Sequence, residues 1–148
     1  MRATMLGRPV ELLLIEDNPA DVFLASQYVA GLSRPTRLSV AGDGREAMRR
    51  LRREAPFELE PLPDLILLDL NVPLRSGREV LTDLKSDPLL RSIPVLVLST
   101  SGADRDVETC YALHANAYLV KPAAAEEYQQ LFDAIDAFWL QCNLFSKA

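Results

Sequence analysis

The sequence has few of the residues that build zinc sites or disulfide frameworks. Its 148 residues include two cysteines, Cys110 and Cys142, and one histidine, His114. These are too few and too scattered for either kind of site. No apolar run approaches the roughly 20 residues that cross a membrane, and residues 1–9 lack the apolar core of a signal peptide. We therefore expect a cytoplasmic protein with no membrane partner.

A basic excess is also missing. The chain carries 16 Lys and Arg against 21 Asp and Glu, a formal net charge of -5. Proteins that bind nucleic acid need positive charge to neutralise phosphates, so nucleic acid is not an expected partner. The length suits one domain, and no linker or internal repeat interrupts it. We expect a single domain over residues 1–148 with no separate output domain.

Short apolar runs that end in acidic residues are the strongest pattern present. Residues 65–68 are all apolar and lead directly to Asp69, and Val10–Ile15 leads to Glu16 and Asp17. Unalternating runs of this length are typical of strands buried on both faces of a parallel sheet. Asp69 would then lie at the carboxyl end of its strand.

Strands and helices alternate along the predicted chain. Strands are predicted at residues 10–15, 36–41, 65–68, 94–98 and 117–120. Helices are predicted at residues 20–30, 45–54, 78–86 and 103–115 and from residue 124 nearly to the end. This order predicts an α/β fold of the doubly wound class, a five-stranded parallel sheet with helices on both faces.

Polar side chains follow four of these strands. Because the carboxyl ends of parallel strands meet at one edge of a sheet, the side chains can converge. Clustered carboxylates repel each other unless a cation offsets them, and oxygen ligands open to water suit Mg²⁺. With a lysine and a hydroxyl, the set can handle a phosphoryl group, with a carboxylate as nucleophile. Its members are Glu16, Asp17, Asp69, Ser99 or Thr100, and Lys121.

These residues resemble a known pattern. The acidic pair, the Leu-Asp-Leu-Asn-Val-Pro motif at residues 68–73 with Gly77, the hydroxyl and Lys121–Pro122 resemble the response-regulator receiver domains of two-component signalling. The resemblance covers essentially the whole chain. It implies a flavodoxin-like (βα)5 receiver fold with strand order 2-1-3-4-5 and an extended C-terminal helix. It also implies that a histidine kinase phosphorylates Asp69, with no enzymatic turnover beyond self-catalysed phosphoryl transfer and slow autodephosphorylation.

The resemblance also assigns roles around Asp69. Asp17 and Asp69 would bind Mg²⁺, Glu16 through water, and Asn71 through its backbone carbonyl. Lys121 would contact the phosphoryl oxygens, and the Lys121–Pro122 peptide bond is expected to be cis.

The switch residues follow from the same resemblance. The switch hydroxyl is the fifth residue after the proline that opens the fourth strand, here Pro94, which selects Ser99 rather than Thr100. Tyr118, three residues before Lys121, falls on the switch-aromatic position.

Two other functions remain open. Haloacid-dehalogenase-like phosphatases also form an aspartyl phosphate, but they need a second Asp two residues after the nucleophile, where this chain has Asn71. A degenerate receiver that binds partners without phosphorylation is the alternative closer to the pattern.

The last helix indicates how the protein could signal. Its apolar residues recur at three- and four-residue spacing, which predicts a stripe packed on the sheet. Leu140, Leu144 and Phe145 widen that stripe, and we expect them to form part of a partner-binding or homodimer face with the fourth helix and fifth strand. The acidic motif and long last helix look most like small receivers paired with bacterial phytochrome kinases. The stripe comprises Tyr128, Leu131, Phe132, Ile135, Phe138, Trp139 and Cys142.

Overall fold

Strands and helices alternate through residues 8–146, the part of the chain that the computed structural model describes. The strands are β1 (Val10–Ile15), β2 (Thr36–Ala41), β3 (Leu65–Asp69), β4 (Val95–Ser99) and β5 (Ala117–Val120). The helices are α1 (Pro19–Val29), α2 (Gly44–Leu51), α3 (Gly77–Ser86), α4 (Asp104–Ala112) and α5 (Ala125–Ile135), and a π-helical segment, Asp136–Cys142, continues α5.

The five strands form one parallel sheet in the order β2-β1-β3-β4-β5. The predicted fold class and strand order are therefore confirmed. Every residue of β1, β3 and β4 is buried, whereas β2 and β5 at the two edges are partly exposed. This difference explains why the three inner strands are nearly continuous apolar runs.

Alternate residues of each inner strand supply two separate cores. On one face, Leu13 and Ile66 pack with side chains from α2 and α3, and Cys110 of α4 joins them. On the other face, Leu14 and Leu67 pack against α1 and α5. The two-residue period of a strand places neighbouring residues on opposite faces, so one short run feeds both cores.

Polar caps fix where the helices begin. The Asn18 side chain accepts hydrogen bonds from the first turn of α1, and Pro19 occupies the first helical position. The hydroxyl of Ser76 and the carboxylate of Glu79 form a capping box at the start of α3. These short caps direct each helix away from the carboxyl edge of the sheet.

Gly77 allows α3 to begin directly against the end of β3. A Cβ atom at this position would lie 2.6 Å from the carbonyl oxygen of Asp69 and 2.5 Å from the Cα of Leu70. Both are backbone atoms that cannot turn aside. The glycine of the motif therefore permits the close approach that brings α3 beside the Asp69 loop.

The C-terminal part of α5 differs from its predicted stripe. Phe138 is 57% exposed and Cys142 is also exposed, whereas Leu140 and Phe145 are buried. The prediction assumed 3.6 residues per turn, but Asp136–Cys142 is π-helical, and the wider turn of a π-helix carries Leu140 inward. The prediction that Leu140 and Phe145 extend an exposed face is wrong, whereas Leu144 is 58% exposed.

Two further features concern the backbone. The Lys121–Pro122 bond is not cis, contrary to expectation, and among the described residues the cis bond is Ala55–Pro56. No helix between residues 8 and 146 is both long and apolar enough to span a membrane.

Candidate functional site

Three carboxylates converge at the carboxyl edge of the sheet. Glu16 and Asp17 follow β1, and Asp69 ends β3, the neighbouring strand. Each offers an oxygen that lies within 4.8 Å of the others. Glu16 and Asp69 are buried, whereas Asp17 is exposed, so the cluster opens to solvent on one side. This all-oxygen donor set, partly wet, fits Mg²⁺.

The Lys121 ammonium lies among carboxylates. Its Nζ is 3.0 Å from an oxygen of Asp69, 3.0 Å from Asp21 and 2.5 Å from Glu16. The backbone places it there, because the Lys121 N–H donates to the Ser99 carbonyl at 2.7 Å, continuing the β4–β5 pairing by one step. Asp21, on the first turn of α1, was not predicted as a site residue.

Burial and charge act on these groups in opposite directions. Burial raises the pKa of Glu16 to about 7, helped by Asp69 and opposed by the hydrogen bonds from Lys121 and Asn18. Burial would lower the pKa of Lys121, but its hydrogen bonds to three carboxylates outweigh that and hold it above its ordinary value. The lysine therefore stays charged.

Asn71 supports Asp69 from the following loop. Its backbone N–H donates to Oδ1 of Asp69 at 3.0 Å, while Lys121 contacts Oδ2. The two oxygens of Asp69 thus have different partners, and the carboxylate is held in one orientation. Asn71 itself is exposed.

Ser99 and Tyr118 are linked through the backbone of one residue, Ser101. Ser99 is buried at the end of β4, and its Oγ accepts from the Ser101 N–H at 3.1 Å. The Tyr118 hydroxyl donates to the Ser101 carbonyl at 2.7 Å. Thr100, the rejected candidate, is exposed. Ser101 was not singled out from the sequence, which gives no signal for a backbone bridge.

The same residue reaches two helices. The Ser101 hydroxyl bonds to Asp106 of α4 at 2.5 Å, and the other Asp106 oxygen lies 2.7 Å from an Arg78 nitrogen on α3. The hydrogen bond from Ser101 and the nearby Arg78 charge lower the pKa of Asp106. A shift of the Ser101 loop would therefore be felt at α3 and α4.

A surface cavity of about 860 Å³ lies away from this cluster. Its lining includes Asp64 and Pro94, which precede β3 and β4, so it is at the amino ends of the strands. None of the clustered carboxylates lines it. The carboxylate cluster is therefore at the opposite, carboxyl edge of the sheet.

Comparison with known proteins agrees with this geometry. Residues 12–133 match the response regulator receiver domain family. The chain belongs to this family. This receiver is 40% identical to the response regulator Rcp1 of Synechocystis sp. over 90% of each chain.

Solved structures are similar as well. The phosphorylated cyanobacterial phytochrome response regulator RcpA is 42% identical, with a TM-score of 0.91, and the match covers 94% of this chain and 99% of RcpA. The Mn²⁺-bound form of Rcp1 is 38% identical, with a TM-score of 0.89, and the match covers 93% and 99%. The receiver fold and the predicted family are confirmed.

Proposed function

We propose that this receiver accepts a phosphoryl group on Asp69 from a histidine kinase in the presence of Mg²⁺. The observation that carries the proposal is the Lys121 ammonium, 3.0 Å from Oδ2 of Asp69 inside a cluster of carboxylates. A cation held there can neutralise phosphoryl oxygens that arrive at the same carboxylate. Its role is signalling, with chemistry limited to its own phosphorylation and slow dephosphorylation.

The transfer is a displacement at phosphorus. A carboxylate oxygen of Asp69 forms the new O–P bond as the P–N bond of the phosphohistidine breaks, and the imidazole nitrogen keeps the electron pair. Lys121 binds the transferred phosphoryl oxygens. Asp17 and Asp69 would hold Mg²⁺, with Glu16 acting through water and Asn71 through its carbonyl. Bound Mg²⁺ supplies positive charge that offsets the phosphoryl oxygens.

The switch acts through Ser101. When the Ser99 hydroxyl turns to donate to a phosphoryl oxygen, the Ser101 N–H loses its acceptor. The Ser101 carbonyl, which Tyr118 holds, then moves with the loop, and the Asp106 contact transmits the change to α4. Phosphorylation thus biases two arrangements of one loop.

The output surface we propose is α4, β5 and α5, used for a homodimer or another protein partner. β5 is an edge strand, and apolar side chains remain exposed along this side. Tyr111 on α4 is 49% exposed, Val120 on β5 is 50% exposed and Phe138 beyond α5 is 57% exposed. A two-fold pairing would cover the same patch on both copies.

We further propose a bacterial phytochrome as the kinase partner, because the structural relative RcpA is a phytochrome response regulator similar over nearly its full length. Since such kinases use cellular ATP, the receiver would work in the cytoplasm. The test is the rate of phosphoryl transfer. If a phytochrome kinase transfers no faster than an unrelated histidine kinase, the proposed partner is wrong.

The decisive experiment is intact mass after incubation with acetyl phosphate and Mg²⁺. The wild type should gain one phosphoryl group, and Asp69→Asn should gain none because the amide is not a nucleophile for this step. Omitting Mg²⁺ should abolish the gain. A folded wild type that never gains mass would instead favour a binding module that works without phosphorylation.

A further inference from the structure

We propose that Asp21 is a positioning residue that holds Lys121 in the site throughout phosphorylation. The inference rests on the proposed function of Asp69 and extends it to a residue of α1. Asp21 does not touch the phosphoryl group in this proposal. It acts through the lysine, whose Nζ lies 3.0 Å from Asp21 Oδ2.

Counting donors and acceptors shows why the contact matters. An ammonium has three N–H donors, and Lys121 directs them to three carboxylates, Glu16, Asp21 and Asp69. The lysine side chain is 7% exposed, so water offers little replacement. A phosphoryl oxygen can therefore be bound only if one of these three acceptors is released.

The three acceptors are not equivalent in the reaction. Asp69 becomes an acyl phosphate, and Glu16 lies in the cluster that fits a divalent cation. Asp21 is outside that cluster. Of the three partners of Lys121, it is the one that neither phosphorylation nor cation binding takes away. It can keep the ammonium anchored while the other contacts are exchanged.

Hydrogen bonds at the start of α1 fix the backbone position of Asp21. Asn18 Oδ1 accepts from the backbone N–H of Ala20 at 2.9 Å and of Asp21 at 3.4 Å, and Glu16 accepts from the Asn18 N–H at 3.1 Å. Glu16 and Asp21 are thus parts of one short, internally bonded turn. The turn brings both carboxylates to the same ammonium.

A tyrosine of α5 lies near the Asp21 and Glu16 carboxylates. Tyr128 is 6% exposed, and burial raises its pKa to about 12, with further contributions from Asp21 and Glu16 that oppose the effect of Lys121. The Tyr128 side chain is therefore buried close to these charged groups.

The test compares Asp21→Asn, Asp21→Glu and wild type in phosphorylation by acetyl phosphate at saturating Mg²⁺. Losing a charge-assisted hydrogen bond to Lys121 should slow the rate by about tenfold. Asp21→Glu, which keeps the charge, should recover most of that loss. Asp104→Asn is the matched control, because Asp104 is likewise a first-turn acid, on α4, but is exposed, and the variant should react like wild type.

A second readout needs no phosphorylation. Hydrogen exchange at the Lys121 ammonium, followed by nitrogen-15 NMR, should accelerate in Asp21→Asn and not in Asp104→Asn. Unchanged exchange, a wild-type rate in Asp21→Asn, or Asp21→Glu as slow as Asp21→Asn would each overturn the positioning role. If wild type takes no phosphoryl group, the proposed function fails, and the ammonium exchange still decides whether Asp21 holds the lysine.

Discussion

Among single residues, Glu16 is the group whose environment departs most from that of a surface carboxylate. It is 2% exposed and touches a lysine, yet its pKa is raised to about 7, with burial as the main cause and Asp69 adding to it. Desolvation and the neighbouring carboxylate thus outweigh the cation. Without a bound metal, the site holds more negative charge than Lys121 alone can offset.

The raised pKa of Glu16 predicts a pH-dependent stability. Between the ordinary value of 4.5 and about 7, the folded protein binds more protons at Glu16 than the unfolded chain does. The free energy of unfolding of the metal-free protein should therefore fall as pH rises through this window, by an amount on the order of 1–3 kcal/mol. Urea unfolding at pH 5 and pH 8 measures it.

Glu16→Gln supplies the reference for that experiment, because it removes the titration and keeps the shape. The free energy of unfolding of the wild type should therefore fall relative to that of the variant from pH 5 to pH 8. At pH 8, saturating Mg²⁺ should restore the free energy of unfolding that the wild type loses. A difference that stays constant with pH would show that Glu16 does not titrate in this range.

The sequence predicted some residues of the site and missed one, and the difference has a physical cause. Glu16, Asp17, Asp69 and Lys121 converge as predicted, since strand ends in a parallel sheet share an edge. Asp21 was missed, because its contact depends on how the α1 cap turns the first helical residues, which spacing alone does not reveal.

At the level of elements, the loop from β4 to α4 is the part that moves in the proposed switch. Ser99→Ala removes the hydroxyl that would donate to the phosphoryl oxygen and that now accepts from Ser101. The variant should still gain one phosphoryl group. The phosphorylation-induced bias of the loop should weaken roughly tenfold, the factor of a charge-assisted hydrogen bond of about 1.5 kcal/mol.

Amide hydrogen exchange across Asp104–Ala112, with and without phosphorylation, measures that bias. Thr100→Ala is the control, because its hydroxyl is adjacent in sequence but exposed on the surface. It should retain the wild-type response. An unaltered response in Ser99→Ala, or an equal loss in Thr100→Ala, would contradict the role of Ser99.

Elements were predictable to different degrees for a similar reason. β1 has the predicted bounds, because burial on both faces of a sheet leaves a nearly continuous apolar pattern. The end of α5 was not predictable, since its pattern was read with an α-helical period and the backbone there is π-helical. Phe138 and Leu140 exchange sides as a result.

In the whole molecule, the proposed phosphorylation site and the proposed output surface lie in different regions of the sheet. The carboxyl edge gathers the charged groups, while edge strand β5 with α4 and α5 presents apolar side chains. Lys121 joins the two regions, because it directly follows β5 and bonds to Ser99 through its backbone. A change at Asp69 therefore has a short physical route to the proposed output surface.

The last prediction concerns association through that surface. In light scattering, the phosphorylated wild type should approach twice its 16.5 kDa mass. Tyr111→Glu places a charge in the apolar patch on α4 and should weaken the dimer by about 2 kcal/mol, roughly thirtyfold in dissociation constant.

Leu89→Glu is the matched control, since Leu89 is 80% exposed and lines the cavity at the amino ends of the strands. It should dimerise like wild type. A wild-type mass that stays monomeric at every concentration, phosphorylated or not, would exclude the homodimer and leave α4, β5 and α5 as a surface for a different protein.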